Sequence, residues 1–118
     1  PIISPLGLGE NKQTYNINGD HAAGAVAKSL KSRRLLLMTN VEGVLNREKK
    51  LISEINSSKI IEMIEDKTIT EGMIPKISTC LDAVKNDVTA VGIIDGRKPR
   101  SVLFELFSDK GSGTLIRK

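Results

Sequence analysis

Two unbroken apolar runs, RRLLLMT (33–39) and VTAVGIID (88–95), constrain this chain more than any other feature. Neither alternates polar with apolar residues. Each therefore reads as a strand covered on both faces, as in a parallel sheet. The segments around them carry helical spacing instead. GDHAAGAVAKSLKS sets Ala22, Ala23, Val26, Ala27 and Leu30 on one face. NSSKIIEMIED (56–66) places Asn and two Ser ahead of an apolar run, a helix-start signal. Met73, Ile77, Cys80, Leu81 and Val84 share a face of a helix that opens near Gly72 or Met73. KPRSVLFELF (98–107) predicts a further helix with Pro99 near its first turn. Strand and helix alternate throughout, which argues for an α/β fold with a mainly parallel sheet.

Shorter pieces fill the frame. PIISPLGLGENKQT reads as a short strand entering a loop marked by Gly7 and Gly9, and TYNIN as a short strand or edge segment. Asp20 is placed to cap the helix that follows, and the small residues Ala22 to Ala25 would let that helix approach a sheet closely. KKLISEI has exposed, alternating character, and GSGTLIRK reads as a Gly-rich loop before a last strand.

With 118 residues, 39% of them hydrophobic and 27% charged, the chain fits one small globular domain or part of a larger one. Aromatics are only 3% and Trp is absent, so aliphatic packing fits better than a base-stacking surface. The net charge of +4 is spread along the chain without a basic block, which suits a small anionic ligand and not a nucleic acid. The single Cys80 allows no internal disulfide and no metal cluster, and points to a reducing compartment. No run approaches the roughly 18–20 apolar residues of a membrane span. The first residues are too Gly/Pro-rich for a signal peptide, and a chain beginning inside a strand is expected to be the tail of something longer.

In open α/β sheets ligands collect at the carboxyl ends of strands. Those ends are TNVEGV (39–44) and DGRKPR here. TEGMIPK (70–76) adds an electrostatic oddity: Lys76 falls in the first turn of its helix, where the dipole disfavours a cation. It is either a solvated surface lysine or, with the free N–H groups near Gly72, part of an anion site. TNVEGV is either a plain turn with Gly43 at positive φ or a loop laid against a nucleotide; it matches neither common Gly-rich phosphate motif. Asp20 is either an N-cap or a carboxylate that organises lysines. Asn16 and Asn18 alternate on an extended segment, so both face one side, to hold a polar substrate or to stabilise the turn. His21 reads as a surface residue and not a general base, Cys80 as core, and GSGT (111–114) as a loop or an anion nest.

Together, YNINGDHAAGAVAKSL, LLLMTNVEGVL, LISEI, ITEGMIPKISTCLDAV, IIDGR and FELFSDKGSGTLI resemble the C-terminal half of the N-acetylglutamate kinase family, across essentially the whole chain. The resemblance implies the amino acid kinase fold, a three-layer α/β/α sandwich with a mainly parallel sheet. It implies transfer of the γ-phosphoryl of ATP, carried with Mg2+, to the side-chain carboxylate of N-acetyl-L-glutamate in arginine biosynthesis. By the same likeness Lys76 contacts the transferring phosphoryl group, Asp20 orients catalytic lysines and Asn16 helps bind acetylglutamate. The nucleotide site would comprise Asn40, Val41, Glu42, Gly43, Val44 and Leu45, with Ile69, Thr70, Glu71, Gly72, Met73, Ile74, Pro75 and Lys76. Glu105 and Gly111 match arginine-contacting positions of family members that arginine inhibits. No metal-ligating residue is implied. The expected setting is the cytoplasm or a plastid, and the complete enzyme is expected to be a homo-oligomer. The family's N-terminal half would supply a Gly-rich loop, another lysine and most of the acetylglutamate pocket, so this lobe alone is expected to be inactive. Alternatives are another amino acid kinase, such as a glutamate 5-kinase or carbamate kinase relative, against which YNIN argues, and a non-catalytic nucleotide- or arginine-binding module.

Overall fold

A computed structural model describes residues 1–69 and 71–118, with Glu71 described by its backbone alone. Strands β1 (Leu6–Leu8) and β2 (Thr14–Asn16) form an antiparallel hairpin apart from the main sheet. Helix α1 (Gly19–Ser29) leads to β3 (Arg34–Thr39). Next come β4 (Glu54–Asn56), α2 (Ser57–Glu65), a 3-10 turn at Glu71–Met73, and α3 (Ile74–Lys85). The chain closes with β5 (Ala90–Asp95), α4 (Ser101–Phe107) and β6 (Thr114–Arg117).

The main sheet has the order β3-β5-β6-β4. β3 pairs with β5 and β4 with β6 in parallel, whereas β5 and β6 run antiparallel. The sheet is thus mainly parallel, with a reversal at its centre. β5 is buried along its whole length, as its unbroken apolar run predicts. β3 is not: it lies at the sheet edge, Arg34 is exposed and Met38 is 54% exposed. An apolar run shows that a strand has apolar neighbours to offer, not that both faces are covered.

One face of the sheet carries α1, α2 and α3. Ile60 and Met63 of α2, Ile77, Cys80 and Val84 of α3, and Val91, Ile93 and Ile116 of the sheet form one buried cluster. Each such large side chain contributes about 1.5–3 kcal/mol when fully buried. α4 packs over β5 on the opposite face: a Cβ added to Gly92, between Val91 and Ile93, would lie 3.4 Å from Glu105 Oε1. These three layers make the α/β/α sandwich. α4 itself is inverted, with Ser101 and Glu105 buried and Leu103, Phe104, Leu106 and Phe107 exposed.

Caps correct several expectations. The N-cap of α1 is Asn18, whose Oδ1 accepts from the Asp20 and His21 N–H groups at 3.0 and 3.2 Å. Asp20 is therefore released from capping, and Asn18 does not lie in the strand beside Asn16. Asn56 caps α2 through the Lys59 N–H, as its sequence signal predicts. α4 begins at Ser101, two residues after Pro99, because Arg100 adopts a left-handed φ of 61° that no helix accommodates. The apolar face expected of α1 is only partly used: Gly24 and Ala27 are buried, while Leu30 is 71% exposed.

Candidate functional site

α3 packs on β5 and reaches it through the short connection 86–89, so its amino end lies over the carboxyl ends of β5 and its neighbour β3. α1 packs beside α3. The contact is close because Gly24 faces Thr79: a Cβ on Gly24 would meet Thr79 Cγ2 at 2.9 Å. Residues three or four apart share a helix face. One turn toward the amino ends from that contact stand Asp20 and Lys76, and one turn toward the carboxyl ends stand Lys28 and Asp82. Lys76 Nζ donates to Asp20 Oδ2 at 2.5 Å, and Lys28 pairs with Asp82. The two helices therefore run side by side in the same direction, locked by three rungs. Ala22 to Ala25 do bring a helix close, but the partner of Gly24 is a helix and not the sheet.

This geometry resolves the placement of Lys76. Its charge is opposed to the α3 dipole but balanced by a carboxylate from the next helix. Both side chains stay partly open, Lys76 at 16% and Asp20 at 31% exposure. Met73, at the N-cap of α3, supplies no capping side chain, and Pro75 has no N–H to satisfy. The α-helix starts at Ile74, later than Gly72, which is exposed in the preceding 3-10 turn. The amino end of α3 thus offers backbone donors and a cation together, an arrangement suited to an anion.

The loop after β3 approaches from the sheet. Asn40 and Glu42 are exposed and Glu42 pairs with Lys98 at 2.6 Å. Val41 and Leu45 are half-buried, while Gly43 and Val44 are buried. Gly43 does take a positive φ, +147°. Arg47 donates to Thr68 Oγ1 and Asp66 Oδ2, tying this loop to the segment before Ile69, which is buried. Val44, Ile69 and Ile77 share the core cluster. Ile74 is half-buried and Pro75 exposed; Thr70 lies outside the described residues. Asn16 is exposed at the end of β2, two residues before the cap of α1. His21 is exposed in the first turn of α1. Cys80 is fully buried, and burial pushes its thiol up to about 12. Asp95 ends β5, is held by the Arg97 guanidinium and N–H, and is drawn down to about 2 by those hydrogen bonds.

A second cleft of about 560 Å³ lies at the other end of the sheet. Arg34 opens β3, and Arg117 registers with Ala90, the first residue of β5. Both line the cleft with Glu54, Glu105 and Gly111. Glu105 is 6% exposed and its Oε2 accepts from the Ser112 N–H at 2.8 Å. Gly111, at φ +65°, lies against the same carboxylate. Glu105 and Gly111, singled out by sequence, do come together; Arg34 and Arg117 were not singled out, because nothing in RRLLLMT or LIRK marks them among the other cations. Gly24 and Thr79 were likewise missed, since their contact joins two helices distant in sequence.

Comparison with known proteins bears on both regions. The model of the amino acid kinase family matches residues 1–95. An acetylglutamate kinase of Pelagibacter ubique is 61% identical over the whole chain, which covers 41% of that protein; one of Ruegeria pomeroyi is 52% identical, again with 41% covered. The chain thus spans about two-fifths of the length of the curated relatives it matches. Among solved structures, N-acetylglutamate synthase from Neisseria gonorrhoeae, complexed with coenzyme A and L-arginine, superposes with a TM-score of 0.91 at 28% identity, over 98% of this chain and 27% of that one. Carbamate kinase from Giardia lamblia, bound to AMP-PNP, shares the fold with a TM-score of 0.69 at 24% identity, over 92% of this chain and 40% of that one. With the family model matched from Pro1 through the whole of β5, this chain belongs to the amino acid kinase family.

Proposed function

We propose that this chain is the nucleotide-binding lobe of an acetylglutamate kinase, which moves the γ-phosphoryl of ATP onto the side-chain carboxylate of N-acetyl-L-glutamate. The observation that carries the reading is the Lys76–Asp20 pair at the junction of two helix amino ends. Phosphoryl transfer spreads negative charge over the equatorial oxygens of the moving group, and catalysis consists mostly of positioning and charge stabilisation. A lysine held by a carboxylate is oriented before substrate arrives. When the phosphoryl group enters, Lys76 donates to its oxygens while Asp20 keeps the ammonium in place. The uncapped N–H groups of α3 and the Asn40–Leu45 loop receive the rest of the nucleotide, and Asn16 borders the acetylglutamate side. The identity to acetylglutamate kinases supports this substrate.

Among the described residues no group of three or more His, Cys, Asp or Glu could hold a metal ion. Mg2+ would be carried by the phosphates of ATP, as is usual for this ion. No helix among the described residues is long and apolar enough to cross a membrane.

The test is the reaction itself. The intact protein with Mg-ATP and N-acetyl-L-glutamate should yield an acyl phosphate that hydroxylamine traps. Product from free glutamate or carbamate instead would assign a different amino acid kinase, and no product together with no Mg-ATP binding would remove the kinase reading.

A second reading concerns the cleft at the amino ends of β3 and β5. Its buried Glu105, with Arg34, Arg117 and Lys110 nearby, provides both signs of charge in one cleft. That combination suits a zwitterion with a cationic side chain, and L-arginine is the candidate ligand.

A further inference from the structure

Thr114 opens β6 and is 0% exposed. Its hydroxyl reaches two points 70 and 62 residues earlier: the Val44 N–H donates to it at 2.8 Å, and it donates to the Ile52 carbonyl at 2.6 Å. Val44 and Ile52 also face each other directly, since the Ile52 N–H donates to the Val44 carbonyl at 2.9 Å. Residues paired in this way across antiparallel strands ordinarily exchange both bonds. Here the second bond runs through the Thr114 hydroxyl, which is wedged into the base of the 44–52 hairpin. Gly43 fits against the same side chain: a Cβ there would lie 2.5 Å from Thr114 Oγ1 and 3.1 Å from its backbone nitrogen.

We propose that Thr114 is a positioning residue for nucleotide binding, and that its hydroxyl fixes the path of Gly43 to Leu45 without touching the nucleotide. The proposal rests on reading Asn40–Leu45 as the nucleotide loop. Outside this anchor the first half of the loop is held by the surface pair Glu42–Lys98, which is half-exposed and worth little. Replacing the hydroxyl by a methyl leaves the buried Val44 N–H and the part-buried Ile52 carbonyl without this partner. The hairpin then closes on itself to pair them, and the loop moves with it.

The experiment compares wild type, T114V and T114S in the intact protein, by titration calorimetry with Mg-ATP and by steady-state kinetics with N-acetyl-L-glutamate. T114V is expected to weaken Mg-ATP binding about tenfold, the equivalent of one buried hydrogen bond. The KM for ATP should rise by the same factor, with kcat and the KM for acetylglutamate within about twofold of wild type. T114S, which keeps the hydroxyl, should restore binding. Loss of general order would lower kcat and raise both KM values together, and would not be rescued selectively. The proposal is overturned if T114V binds Mg-ATP as wild type does, or if its defect falls on kcat and both KM values alike. Wild type that binds no Mg-ATP sinks the nucleotide reading itself, a separate result. Should T114V not fold, T114C, similar in size and only a weak donor, is read by the same criteria.

Discussion

At the carboxyl ends of β3 and β5, Lys76 and Asp20 neutralise each other across two helices, and both remain partly open to solvent. At the amino ends, Glu105 is almost fully buried and held by a backbone N–H, with Arg34 donating to its main-chain carbonyl at 3.2 Å and not to its carboxylate. The first arrangement keeps a cation oriented and within reach of solvent, as the proposed exchange of its partner for an incoming phosphate requires. The second fixes a carboxylate in one place, which suits recognition of a ligand and not chemistry upon it. On the proposed reading the same sheet has a reactive end and a sensing end, and the structural difference between them lies in whether charge is paired or buried.

Removing the cation should break the reactive end most severely. Lys76→Ala in the intact protein is expected to lower kcat about 10²–10³-fold, the cost of losing one donor to a developing anion. Mg-ATP affinity should change much less. An unchanged turnover number would take Lys76 out of the mechanism.

The helix contact beneath that pair can be broken separately. Gly24→Val places a branched side chain where a single carbon already meets Thr79. Overpacking of this kind costs about 1–3 kcal/mol. Thermal or denaturant unfolding would register it, and kcat should fall with it as Asp20 and Lys76 separate. A variant as stable and active as wild type would show that the α1–α3 spacing does not set the pair.

At the sensing end, Glu105→Gln keeps the shape and removes the charge. L-arginine affinity, read by calorimetry, should fall about tenfold, in line with one charge-assisted hydrogen bond. Mg-ATP affinity should stay unchanged. Equal loss of both ligands would dissolve the distinction between the two ends.

The smallest effect concerns acid. Hydrogen bonds from Arg97 lower the Asp95 carboxyl from 3.8 to about 2. A depressed carboxylate contributes stability that is complete above its unfolded value and is lost as pH falls through its folded one. Wild type should therefore lose stability between about pH 4 and pH 2. Asp95→Asn should flatten that part of the profile, and an unaltered slope in this variant would place the acid sensitivity elsewhere.

Much of the frame was legible in the residues. The continuous run of β5, the Asn56 cap of α2 and the one-sided apolar spacing of α3 each follow from local chemistry, and the structure has all three. The errors share a cause. Asp20 and Asn18 are both good capping residues, and only the fold shows that Asn18 takes the cap, leaving Asp20 for Lys76. RRLLLMT cannot tell an edge strand from a central one, because its sequence reports only its own side chains.

By itself the sequence determined which segments form helices and strands, since periodicity, caps and breakers act within a few residues. Tertiary structure alone decided what meets at each end of the sheet: Lys76 with Asp20, and Thr114 with Val44 and Ile52. Those partners are separated by 56 to 70 residues. No local rule spans such a distance, and only the close packing of α1 on α3 and the placement of β6 beside β5 bring them within hydrogen-bonding reach.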